Sequence, residues 1–96
     1  MLTHVVIWRY RPEVDQGSRD EHLAELRSLA GLVEGMERFA VGFDILHLAR
    51  SYDTALVALF RDRAALDEYT IHPQHLRVAD LGRGLSETIA SVDFED

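Results

Sequence analysis

Leu2-Thr3-His4-Val5-Val6-Ile7-Trp8-Arg9-Tyr10, "LTHVVIWRY", is dense in β-branched and aromatic residues and stops just before Pro12, as a β-strand does. Alternate side chains of a strand point to opposite faces. Val5 and Ile7 share one face here, and Leu2, Val6 and Trp8 share the other, so both faces are apolar. Asp53 to Phe60, "DTALVALF", behaves the same way: Ala55, Val57 and Leu59 oppose Leu56, Ala58 and Phe60. An antiparallel strand with one face in water alternates apolar with polar. These two strands therefore call for cover on both sides.

Working outward, Ser18-Arg19-Asp20-Glu21 has the form of a capping box, followed by an apolar stripe at Leu23, Leu26, Leu29, Ala30 and Val33, with Gly35 placed to end the helix. Arg38 to Leu46 reads as a second strand and His47 to Tyr52 as a loop. Asp62 caps a short helix through Thr70. Pro73 opens another that runs to Leu81, where Gly82 and Gly84 break it, and Ser86 to Phe94 is a last strand. The order β-α-β-β-α-β is the ferredoxin-like split arrangement, an α+β fold with one antiparallel four-stranded sheet in a single domain over residues 1–96. Its helices cover one face. The other expects a second sheet from another copy, giving a homodimeric α/β barrel. The face carrying His4, Val6 and Trp8 is assigned to the cavity between the two sheets, walled also by Phe39, Leu56 and Val78. Such a wall suits a hydrophobic small molecule.

Composition narrows the rest. The chain has 96 residues, 47% of them hydrophobic, and a formal net charge of −7, with ten arginines and no lysine. A domain of this size has a thin core and gains from association. The acidic balance argues against nucleic acid and against an anionic membrane as partners. Without lysine there is no Schiff base, and without cysteine no disulfide and no thiolate. No apolar run has the length of a signal peptide or a membrane span, so a soluble cytoplasmic protein is expected.

Glu68 to His75, "EYTIHPQH", holds a tyrosine and two of the five histidines. Pro73 disfavours helical geometry at His72 and then starts a new turn, which lets Tyr69 and His75 turn toward one spot. Neutral imidazole accepts a proton near neutrality, and a tyrosine hydroxyl either holds the imidazole by a hydrogen bond or donates to a carbonyl oxygen gaining charge. The competing reading is a polar helix start, with His72 as cap and His75 as a first-turn residue bonded to backbone. His72 and His75, three apart, lack a third ligand at a recognisable spacing, so no metal is expected. His22 is read as solvent-facing, His47 as a loop residue, and Asp93 to Asp96 as a solvated tail.

"LTHVVIWRYRPEVD", "VGFDIL", "YDTALVALF" and "YTIHPQH", in that order, resemble the stress-responsive dimeric α/β-barrel (Dabb) family. The resemblance runs from His4 to Asp93 and implies the ferredoxin-like fold and a homodimer. In its olivetolic acid cyclase branch, a tyrosine and histidine at the positions of Tyr69 and His75 work together without a cofactor, and a histidine at His4 lines the same cavity. A pocket tyrosine of that branch falls at Leu26 here, and a pocket histidine at Thr54. The resemblance thus implies His75 as base, Tyr69 as its catalytic partner and His4 as a pocket contact, acting on a hydrophobic carbonyl compound in the manner of a polyketide cyclase, with the cavity wall read above, Val6, Trp8, Phe39, Leu56 and Val78, as the further substrate contacts. A non-catalytic stress-response binding or scaffold module is the alternative, and a monooxygenase-like relative a further one.

Overall fold

The computed structural model describes residues 1–96. Strand β1 (Leu2–Tyr10) is followed by helix α1 (Gln16–Arg27), strands β2 (Met36–Phe43) and β3 (Thr54–Phe60), helices α2 (Arg63–Ile71) and α3 (Pro73–Leu85), and strand β4 (Ser86–Glu95). One four-stranded sheet runs in the order β2-β3-β1-β4, with every pair antiparallel. This is the expected ferredoxin-like α+β fold, its second helical stretch split in two at His72. No helix is long and apolar enough to cross a membrane.

Helix boundaries differ from the sequence reading at three places. The N-cap of α1 is Asp15, not Ser18: its carboxylate accepts from the Ser18 backbone N–H at 2.8 Å. The helix stops at Arg27, well before Gly35. Tight i→i−3 bonds at Leu29, Ala30 and Leu32 carry the chain on, so Leu29 and Val33 are still buried while Ala30 is exposed. Helix α3 passes through Gly82 and Gly84 instead of breaking there. Gly82 is buried, and a Cβ on it would lie 2.9 Å from Nε1 of Trp8 and 3.0 Å from Nε2 of His22. The absent side chain lets α3 close onto the sheet.

The register assigns the two faces. Leu2 pairs with Phe60, His4 with Ala58, Val6 with Leu56 and Trp8 with Thr54. This even-numbered face of β1 lies under the helices, with Leu2, Trp8, Tyr10, Leu56, Ala58 and Phe60 in the core together with Leu26, Leu29, Tyr69 and Val78. It is not the face turned toward a second sheet, as the sequence reading had it. The bulkier side chains fill the space between sheet and helices. The smaller set, Val5, Ile7, Ala55, Val57, Ala90 and Val92, lies on the far side. There Val57, Val92 and Phe94 are 44%, 55% and 45% exposed.

His22 is also placed differently. It is fully buried, its Nδ1 2.6 Å from the Tyr10 hydroxyl, which in turn lies 2.8 Å from Oγ1 of Thr54. Its Nε2 has no partner. Burial lowers its pKa from 6.5 to about 4, so the ring is neutral in this network. Asp93 is no tail: β4 extends through it, paired with His4 on β1.

Candidate functional site

Helices α2 and α3 meet at His72. Asp62 caps α2 by accepting from the Ala65 N–H at 2.9 Å, and His72 caps α3, its Nδ1 accepting from the Gln74 N–H at 3.1 Å. His72 itself is extended (ψ 133°), as the residue before a proline prefers, and the bend brings the last turn of α2 against the first turn of α3. Tyr69 and His75 come together as a result, with ring centroids 4.5 Å apart and planes inclined by 47°. His4 joins them from β1, its ring centroid 6.0 Å from that of Tyr69.

These three side chains open into a cavity of about 200 Å³ between the sheet and the helices of one chain. Val6, Trp8 and Leu56 form its floor, and Leu26, Leu29 and Val78 its roof. The cavity is therefore not between two sheets. Among the residues read from the sequence, Phe39 is not part of its lining: it packs against the core from β2, beyond Ala58. The other seven all line it. Leu26 does too, whereas Thr54 is turned away to the Tyr10 hydroxyl. No group of three or more His, Asp or Glu side chains converges in a way that would hold a metal ion.

The protonation states follow from the surroundings. Nδ1 of His75 lies 3.0 Å from the carbonyl oxygen of Thr70. A carbonyl only accepts, so Nδ1 carries the hydrogen and Nε2 is left with a lone pair. Burial is the main cause that pushes the His75 pKa below 6.5. The Thr70 bond raises it in part, and the charges of His4, Arg83 and His72 lower it further. Burial drives the Tyr69 pKa the other way, up to about 12, so its hydroxyl keeps its proton. Neither the Tyr69 hydroxyl nor Nε2 of His75 makes a hydrogen bond within the protein. A neutral base and a hydrogen-bond donor thus stand side by side on an apolar cavity. His4 is held through its Nδ1 by the Asp93 carboxylate.

Three contributors escaped the sequence reading. Arg83 lines the cavity from the end of α3, in step with His75 and Ala79 at intervals of four. Ending that helix at Leu81 hid it. Asp93 follows Ile89 and Ser91 on one face of β4, an alternation present within the strand read over Ser86 to Phe94 but masked by assigning Asp93 to the tail. The Thr70 carbonyl is a backbone group, for which residue identity gives no signal.

Comparison with known proteins agrees with the fold. Olivetolic acid cyclase of Cannabis sativa is 19% identical over 95 residues, covering 97% of this chain and 94% of that one. A crystal structure of a dimeric ferredoxin-like protein from Thermobifida fusca superposes with a TM-score of 0.91 at 21% identity, over 99% of this chain and 90% of the other. Hydroxynitrile lyase from Passiflora edulis does so with a TM-score of 0.84 at 21% identity, over 97% and 90%. At that identity the structural likenesses speak to the fold. The family model of the stress responsive A/B barrel domain matches residues 2–96, and the chain belongs to the Dabb family.

Proposed function

We propose that this protein is a homodimeric, small-molecule-binding enzyme that performs cofactor-free acid–base chemistry on a hydrophobic carbonyl compound, in the manner of a polyketide cyclase or a related lyase. The observation that carries the reading is the pairing of two unsatisfied groups on one apolar cavity: Nε2 of His75, a free lone pair, and the Tyr69 hydroxyl, a free donor. Support comes from membership of the Dabb family and from the likeness to olivetolic acid cyclase.

In this reading Nε2 of His75 takes a proton from the carbon next to a substrate carbonyl. The electron pair of the broken C–H bond forms the enolate, whose oxygen receives the Tyr69 hydrogen bond. A hydroxyl with a pKa of about 12 donates to such an oxygen without losing its proton, which divides the roles: His75 is the base and Tyr69 the stabiliser. The enolate carbon attacks a second carbonyl of the same molecule, and the proton on His75 returns to the new alkoxide. His4, steadied by Asp93, offers a further polar contact, and Val6, Trp8, Leu56 and Val78 bind the apolar body.

Homodimerisation belongs to the same proposal. The exposed Val57, Val92 and Phe94 on the outer face of the sheet are the surface a second copy would cover.

The test is turnover of a panel of linear polyketide-like and cyanohydrin substrates. His75→Ala is expected to lower kcat by about 100-fold or more, and Tyr69→Phe by about 100-fold, the ordinary sizes for a lost general base and a lost oxyanion donor. A substrate whose turnover survives His75→Ala unchanged overturns the assignment.

A further inference from the structure

The cavity lining is biased in charge against the chain as a whole. The protein carries 17 acidic residues and 10 arginines, yet no Asp or Glu side chain is among the 14 lining residues, and one arginine, Arg83, is. Of the two histidines that also line the cavity, burial lowers the pKa of His75, and His4 already has the Asp93 carboxylate as its partner. Arg83 has a partner in Asp80, one turn back on its own helix. Both side chains are largely exposed, and such a pair is weak. That contact uses Nη2 and leaves Nε and Nη1 with no protein acceptor.

His75, Ala79 and Arg83 lie at intervals of four along α3 and share one face of it. Eight residues of helix span about 12 Å, and the long arginine side chain shortens the gap a ligand must bridge. The chemistry changes along the cavity accordingly. The Tyr69–His75 end is arranged for a carbonyl, the middle is apolar through Val6, Trp8, Leu56 and Val78, and the Arg83 end has guanidinium N–H donors free to meet a carboxylate.

We infer that Arg83 forms an anion subsite, and that the ligand of this cavity is a keto acid: an apolar chain with a reacting carbonyl at the Tyr69–His75 end and a carboxylate at the Arg83 end. This rests on the proposed function for the carbonyl end and adds the class of substrate. Arg83 would set which molecules enter and how they lie, leaving proton transfer to His75.

The test compares β-benzoylpropionate with its neutral amide by NMR. The chain has one tryptophan, Trp8, which lines the cavity, so its single indole N–H resonance reports occupancy. The acid is expected to bind about ten-fold tighter than the amide, in keeping with a charge-assisted contact. Arg83→Gln is expected to erase that preference, and Arg83→Lys to keep part of it. Equal binding of acid and amide by the wild-type protein overturns the anion subsite and leaves the carbonyl site standing. So does a preference that persists in Arg83→Gln. If neither probe moves the Trp8 resonance, the proposed function falls, and the subsite with it.

Discussion

His75 donates its Nδ1 hydrogen to the carbonyl oxygen of Thr70, 3.0 Å away, and so keeps its Nε2 lone pair for the cavity. The bond crosses the Pro73 break, from the first turn of α3 back to the last turn of α2. One kink thus fixes the position of the ring and its tautomer together.

The ionisation of His75 can be read without a substrate. Burial holds its pKa below 6.5, so the neutral form prevails at pH 7. An NMR titration of the His75 ring is expected to give a midpoint below 6.5, and kcat/KM to be level near neutrality and to fall on the acid side at that midpoint. A midpoint above 6.5 would mean that the Thr70 bond outweighs burial.

His22 makes a separate prediction, about folding. Its pKa is about 4 in the folded chain and close to 6.5 when unfolded, so between those values the unfolded state binds the extra proton. Stability should be complete above pH 6.5 and fall as the pH drops toward 4, by roughly 3 kcal/mol for a shift of this size. Urea melts of the wild type and His22→Phe across that range measure it. The variant should lose the part of the slope that belongs to His22, and a slope identical in both proteins would fault the assignment.

Two glycines of α3 should behave oppositely. At Gly82 a methyl group would meet Trp8 and His22 at 2.9 and 3.0 Å, an overpacking that costs ~1–3 kcal/mol against a helix-propensity gain of ~1 kcal/mol. Gly82→Ala should therefore lower the melting temperature. At Gly84 nothing lies within 4 Å of the added methyl, and Gly84→Ala should raise it. A stabilised Gly82→Ala protein would show that α3 sits farther from Trp8 than described.

Assembly can be tested on the outer face. Val57, in β3 and 44% exposed, pairs with Val5 and Ala40 at the middle of the sheet. Light scattering should give a dimer for the wild type and a monomer for Val57→Asp, because an unpaired carboxylate at such an interface costs several kcal/mol. A monomeric wild type would remove the reason for the apolar outer face.

The strands were legible because β1 and β3 repeat with a period of two and carry β-branched residues, and α2 because Asp62 stands where a cap must. The face pointing to the helices was not legible. With Val5 and Ile7 as apolar as Val6 and Trp8, periodicity identifies two sets without saying which one the helices cover. Side-chain bulk decides it, and bulk matters only once both sides of the core are known. His22 was misplaced for a related reason: as one polar residue beside an apolar stripe it looks solvent-facing, and only the Tyr10 hydroxyl, arriving from β1, makes its burial tolerable. The site was legible to the extent that Pro73 marks a bend bringing Tyr69 to His75. Phe39 was assigned to the cavity because it is aromatic and in a strand, but β2 is the outer neighbour of β3 and too far along the sheet to reach it.

The register of β1 has a consequence for how this sequence can change. Even positions, His4, Val6 and Trp8, belong to the cavity, and odd positions, Thr3, Val5 and Ile7, to the outer face. Two messages are interleaved in one strand, each readable without the other, so either set can drift or be randomised while its counterpart is held. A single inserted residue would exchange them, turning His4 outward and bringing a valine beside Tyr69. Lineages and libraries built on this strand should therefore be rich in substitutions and empty of one-residue insertions.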